Sequence, residues 1–109
     1  MAAQYEVLLT RGAEQDLAQL HAWISENRSV EQADALLEEI LTVVETLAHY
    51  PDRGARPKEL AGLGMPQFRQ MLMAPYRILY RVIGAEVMIL LIADGRRDMQ
   101  SLLEQRLLR

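Results

Sequence analysis

The sequence predicts an α+β fold: an N-terminal strand, a helical hairpin, then a three-stranded antiparallel meander forming one sheet. Two observations carry that expectation. The first half of the chain holds two apolar stripes at spacings of three and four, each opened by a capping residue. The second half holds three runs of branched, aromatic and long apolar residues parted by short breaks. A third observation sets the scale. With 109 residues, half of them hydrophobic, the chain can fill one core but is short for two ordinary domains, so residues 1–109 are expected to form one domain.

The elements follow in order. Tyr5 to Leu9 is short, apolar and bounded by Thr10, which marks a first strand. Thr10 then offers a helix N-cap, and Ala13, Leu17, Leu20 and Ile24 recur as the stripe of a helix running to about Asn27, with acids on its other face. Ser29 followed by Gln32 makes a capping-box pattern, and Ala33, Leu36, Leu37, Ile40, Val43, Val44 and Leu47 form the stripe of a second helix. The two helices are expected to pair. Tyr50-Pro51-Asp52-Arg53-Gly54 ends the hairpin, because proline cannot continue a helix and glycine permits the turn. Residues 51 to 66 read as a loop with a helical turn near Lys58 to Leu63. Gln67 to Met73, Tyr76 to Ile83 and Glu86 to Ala93 are the meander, and the breaks at Ala74-Pro75 and Gly84-Ala85 are too short for anything but antiparallel neighbours. The tail from Met99 to Arg109, with Leu102, Leu103 and Leu107, is expected to add a helical turn or two.

Alternation assigns the faces. Tyr76, Ile78, Tyr80 and Val82 share one side of their strand, and Arg77, Leu79, Arg81 and Ile83 the other; in the last strand Val87, Ile89 and Leu91 oppose Met88, Leu90 and Ile92. Both faces of the sheet are apolar, yet one hairpin covers only one of them. If the arginine-bearing face is the open one, it presents Arg69, Met71, Met73, Arg77, Leu79, Arg81, Leu90 and Ile92, an apolar strip rimmed by cations. Exposed strips of this kind mark partner sites. The alternative is that the long loop or the C-terminal tail folds over it.

Charge and chemistry narrow the function. The net charge of -3 argues against general nucleic-acid binding, but its distribution is uneven. Residues 1–50 hold nine acids and two bases, a balance of -7, so the remainder carries +4, with ten bases of which only Lys58 is a lysine. Arginine dominance suits forked contacts to carboxylates or phosphates. Cysteine is absent, which excludes disulfides, thiolate metal sites and a cysteine nucleophile. Met1 to Glu6 lacks the basic flank and apolar run of a signal peptide, and no apolar run approaches a membrane span, so a cytoplasmic location without membrane contact is expected. His21 and His49, the only histidines, both fall on helices as boundary or surface residues, and no metal-ligand spacing, phosphate-cradling glycine loop or nucleophile elbow occurs. Glu38 and Glu39 are neighbours on a helix and point apart, while Trp23 and the methionines at 71, 73, 88 and 99 read as packing. No catalytic residue, cofactor or metal is expected.

Several segments are recognisable together: the opening strand with its Thr10-capped helix, the turn Tyr50-Pro51-Asp52-Arg53-Gly54, Phe68-Arg69, the run from Pro75 to Val82, and the ending Asp94-Gly95-Arg96-Arg97-Asp98. In order and spacing the chain resembles the RelE/ParE toxin superfamily over nearly its whole length. The resemblance implies a type II toxin whose antitoxin wraps it with a C-terminal segment. RelE-like members cleave messenger RNA on the ribosome; ParE-like members inhibit DNA gyrase with no chemistry of their own. One lysine, no histidine beyond the helices, an acidic net charge and the Arg96-Arg97-Asp98 ending look like the ParE branch. The resemblance therefore implies gyrase inhibition and neutralisation by a ParD-like antitoxin. The alternatives are a ribosome-dependent endonuclease and a non-toxic interaction module. On this reading Arg69, Arg77 and Arg81 pair with antitoxin acids, Met71 and Leu79 receive its apolar anchors, and Arg96 and Arg97 contact gyrase or its DNA. Tyr76 and Tyr80 are assigned to the core first and to function second.

Overall fold

The computed structural model describes residues 4–108; Met1 to Ala3, over which part of the leader reading ran, and Arg109 at the end of the tail lie outside the described residues. Strand β1 (Glu6–Leu9) gives way at once to helix α1 (Arg11–Asn27) because Thr10 serves both. Its N–H and hydroxyl donate to the Ile89 carbonyl, each at 3.0 Å, while its Oγ1 accepts the Ala13 N–H at 3.2 Å. Ser29 does the same for α2 (Val30–Thr46), accepting the Gln32 N–H at 3.1 Å. A 3₁₀ helix (Lys58–Leu63) interrupts the long loop where a helical turn was expected. Strands β2 (Phe68–Met73), β3 (Tyr76–Ile83) and β4 (Glu86–Asp94) follow, and α3 (Met99–Leu107), capped by Asp98, closes the chain. The turn between β3 and β4 holds Gly84 at φ 60°, a conformation that costs glycine nothing and a branched residue a great deal.

The sheet runs β1-β4-β3-β2. The meander is antiparallel as expected, and β1 adds to it in parallel, Val7 beside Val87 and Leu9 beside Ile89, so the sheet is mixed. The hairpin covers one face: Ala13, Leu17, Ile40, Val44 and Leu47 bury Ile78, Tyr80, Val87, Ile89 and Ile92.

The second face is closed, not open. Leu60 from the 3₁₀ helix and Met99 and Leu103 from α3 pack on Phe68, Leu79, Leu91 and Ala93. The physical reason is the amphipathic tail, whose leucines complete a second core over a face too apolar to leave in water. Two face assignments also change. Directly opposed residues in an antiparallel pair share a side, and Arg69 opposes Tyr80, Met71 opposes Ile78 and Met73 opposes Tyr76. Arg69, Met71 and Met73 therefore sit on the hairpin side, across the sheet from Arg77, Leu79 and Arg81. In β4 a bulge breaks the alternation: Leu79 opposes Leu91 but Tyr80 opposes Ile89, so Leu90 is an extra residue. Beyond it Leu91 turns to the α3 face and Ile92 joins the hairpin core.

The bulge leaves backbone groups without ladder partners, and one ion pair supplies them. Asp16 Oδ2 on α1 accepts the Ile92 N–H at 2.9 Å, and Arg106 Nη1 on α3 donates to the Leu90 carbonyl at 2.6 Å. The guanidinium also grips both Asp16 oxygens at 3.0 Å, with little of either side chain exposed. Helix, sheet and tail are thereby tied at one point.

Candidate interaction sites

The residues expected to receive an antitoxin are engaged internally. Leu79 is 3% exposed beneath α3 and the 3₁₀ helix. Arg77 forks onto Glu59 with two contacts of 2.7 Å, and its Nε donates to Gln70 Oε1 at 2.7 Å; the two charged side chains are only 13% and 12% exposed. The Arg77 hydrogen bonds hold the Glu59 carboxyl below its ordinary range, against burial, which pushes it up. Arg81 lays its guanidinium 5.5 Å over the Phe68 ring, with its Nε buried and without a hydrogen-bond partner. On the opposite face Arg69 Nη1 donates to the carbonyls of Gly54, at 2.8 Å, and Asp52, at 3.2 Å, while half-buried Met71 fills the hairpin core. The five residues do not form one surface.

Tyr80 works with Arg69 on the same loop. Its ring is wholly buried, and its hydroxyl donates to the Pro51 carbonyl at 2.6 Å and accepts the Gly54 N–H at 2.9 Å. A Cβ on residue 54 would lie 2.6 Å from that hydroxyl, which is why glycine is needed there. Burial raises the phenol above its usual range, partly offset by the Gly54 N–H. The histidines lie elsewhere: His21 Nε2 meets Asp34 Oδ1 at 2.7 Å and ties α1 to α2, with Ser25 Oγ 3.5 Å from its Nδ1, and His49 neighbours Tyr50. Among the described residues no three histidine or carboxylate side chains gather as a metal site, and no helix is long and apolar enough to cross a membrane.

Arg96 and Arg97 meet a different surface. Between α1 and the end of β4 runs a cleft of about 440 Å³. Leu20, Ile24 and Ile92 form its apolar floor, Tyr76 and Trp23 its walls, and Arg28, Arg96 and Arg97 its rim. Trp23 is 56% exposed, a large apolar ring left facing water. Arg96 forks onto Asp94 through Nε at 2.9 Å and Nη2 at 2.6 Å, and its backbone N–H reaches the same carboxylate at 2.9 Å. Those donors pull the Asp94 pKa down to about 2. Arg28 and Arg97 have no ion-pair partner among the described residues. The rim thus keeps two uncompensated guanidinium groups beside an aromatic ring.

The sequence reading placed Arg96 and Arg97 at an exposed site but missed Trp23, taken as packing, and Arg28. The signal was there. Trp23 lies on the flank of the Leu20–Ile24 stripe, where a ring that large overhangs the helix edge, and a cation follows five residues later.

Comparison with known proteins decides the family. Residues 7–99 match the family described as the ParE toxin of the type II toxin–antitoxin system parDE. The chain belongs to this family. It is the toxin component of a type II toxin–antitoxin system. Toxin ParE3 of Caulobacter vibrioides is 32% identical over 100 residues, which span 92% of this chain and 96% of the relative. Among solved structures, the chromosomal ParDE system of P. aeruginosa superposes with a TM-score of 0.71 at 25% identity, over 84% of this chain and 97% of that one. The toxin–antitoxin complex RelBE2 of Mycobacterium tuberculosis shares the fold, with a TM-score of 0.59 at 21% identity over 84% and 98% of the two chains. Family membership thus agrees with the mixed sheet and hairpin derived above. Nearly all of α3 lies beyond the family-matched residues.

Proposed function

We propose that this ParE-family toxin acts in the cytoplasm by inhibiting DNA gyrase, catalyses no reaction itself, and is neutralised by a ParD-like antitoxin. The observation that carries the reading is how the arginines are divided. Arg77, Arg81 and Arg106, which an RNA-cleaving site on the sheet would draw on, are held by Glu59, the Phe68 ring and Asp16. At the lip of an open cleft Arg97 has no ion-pair partner among the described residues, and Arg96, though forked onto Asp94, keeps a side chain that is 78% exposed. A group already forked onto a buried carboxylate cannot follow charge developing on a substrate, whereas an exposed one is ready to bind a partner. Family membership supports the same choice.

The test is a supercoiling assay with purified gyrase and this protein, run beside a ribosome-dependent cleavage assay on the same preparation. Loss of supercoiling with linear DNA accumulating is the expected result, and Arg96→Ala with Arg97→Ala should weaken it. Cut messenger RNA with normal supercoiling would move the protein to the ribosome-dependent reading, and healthy cells on expression of the toxin alone would leave a harmless interaction module.

A further inference from the structure

We infer that the cleft between α1 and β4 is the docking site of the antitoxin, taking an acidic amphipathic segment whose apolar side chain enters over Leu20 and Ile92 while its carboxylates reach Arg28 and Arg97. The inference rests on the antitoxin partner proposed above and deepens it, because the sheet face first expected to receive that partner is filled. Leu79 lies under α3, and Arg77 is neutralised by Glu59 at 2.7 Å, so neither an apolar anchor nor a new carboxylate finds a place there unless the second core comes apart.

The cleft offers what that face lacks. Its volume of about 440 Å³ falls within the range of pockets that bury a compact apolar group. Its floor is apolar, and Trp23 is already half exposed beside it. Tryptophan and arginine are the residue types on which binding energy concentrates, and here Trp23 on α1, Arg28 at its C-cap and Arg97 beyond β4 line one cleft. The charges select the occupant. Asp16 is taken by Arg106 and Asp94 by Arg96, so the cations in excess are Arg28 and Arg97, on opposite lips. A segment with acids at its edges and an apolar centre is complementary to that pattern. A nucleic acid is not, because its charge continues past the cleft over the half of the chain that supplies α1, where acids outnumber bases nine to two.

One consequence follows from position. A segment seated on Arg28 and Arg97 lies over Arg96 as well, the pair of arginines proposed to meet gyrase. Antitoxin and target then exclude each other directly, with no change of toxin shape required.

The experiment uses the full chain and its ParD-like antitoxin as purified proteins. Trp23 is the only tryptophan in the chain, so fluorotryptophan places one fluorine resonance in the cleft. That resonance is expected to move on antitoxin binding, and Arg28→Glu and Trp23→Ala should each weaken affinity about 30-fold, the effect of a residue at the energetic centre of an interface. Arg11→Glu, the same charge reversal at the far end of α1, should leave affinity unchanged. Circular dichroism confirms that each variant is folded. If the antitoxin fails to co-elute with the unmodified chain, the antitoxin reading itself falls, and this inference with it. If it co-elutes but the resonance stays still and Arg28→Glu binds as tightly as the unmodified chain, only the assignment of the cleft is overturned. A resonance moved by oligo(dT) and not by the antitoxin would likewise give the cleft to nucleic acid.

Discussion

Replacing Tyr80 by phenylalanine removes one heavy atom and tests a polar contact made by a fully buried ring. The ring has no solvent exposure and the hydroxyl's bond from the Gly54 N–H is buried, whereas Pro51 is partly covered. Two partners lose the hydroxyl: the half-buried Pro51 carbonyl, which accepts its proton at 2.6 Å, and the buried Gly54 N–H, which donates to its oxygen at 2.9 Å. Leaving a buried polar group unsatisfied costs about 1–3 kcal/mol, so the pair should cost roughly 3 kcal/mol after the loop relaxes. With an unfolding entropy of about 2.1 cal/mol/K per residue, a chain of this size should lose about 13 °C in Tm. The assay is thermal and urea unfolding of both proteins, with Tyr50→Phe, on an exposed ring, as the control expected to move Tm by no more than about 2 °C. Alkaline pH offers a second reading. Burial raises the phenol pKa in the folded state, so its contribution to stability is complete below the ordinary tyrosine value and is lost as pH rises through the raised one. The phenylalanine variant should therefore unfold less steeply in alkali. A Tm within about 2 °C of the parent would refute the reasoning, and would mean the 51–54 loop is held by the Arg69 contacts alone.

Three further outcomes are expected. Glu59→Gln should destabilise by about 2 kcal/mol near neutral pH, because it leaves the largely enclosed Arg77 without its countercharge; since the folded pKa of Glu59 is lowered, that difference is present above its ordinary value and shrinks as acid protonates the parent, which pH-dependent urea unfolding will show. Arg106→Ala should release α3 before the rest of the fold, read as faster amide exchange at Leu102 and Leu103 with β3 still protected; equal protection throughout would contradict the tie to Asp16. Asp94 should titrate by NMR with a midpoint of about 2, and Arg96→Ala should return it toward the ordinary carboxylate range; an unmoved midpoint would mean the fork onto Arg96 is not made in solution.

The fold was legible wherever local chemistry and global packing ask for the same thing. Thr10 and Ser29 cap their helices because an oxygen on a short side chain reaches the free N–H groups of a first turn, whatever the rest of the chain does. The meander followed from the shortness of its connections. The faces of the sheet were harder. Alternation is a rule about an unbroken ladder, and nothing in Ile89-Leu90-Leu91-Ile92 announces that one of four similar side chains is extra. The bulge becomes visible only when Asp16 and Arg106, 90 positions apart, are found on its backbone. The same distance hid the closed face, since the leucines of α3 gave a helix but not its destination. Of the site, the exposed Arg96 and Arg97 could be read from their place after the last strand, whereas their joining with Trp23 and Arg28 depends on how α1 lies across β4.

The extra residue in β4 links these findings. With strict alternation Ile92 would face α3 and Leu91 would face α1, and the Ile92 N–H would belong to the ladder. Because Leu90 is bulged, Ile92 turns instead to the hairpin side, where it becomes part of the cleft floor beneath Trp23 and Leu20. Its freed N–H donates to Asp16, which ties α1 to the end of β4 at the edge of the cleft. The same turn sends Leu91 and Ala93 to the opposite face, where α3 covers them. One inserted residue therefore helps to fill the face first expected to be open and builds the recess on the other side, and the arginines divide accordingly: Arg77 and Arg106 are paired with Glu59 and Asp16 and Arg81 lies over the Phe68 ring, while Arg97, beyond the bulge, keeps no ion-pair partner among the described residues.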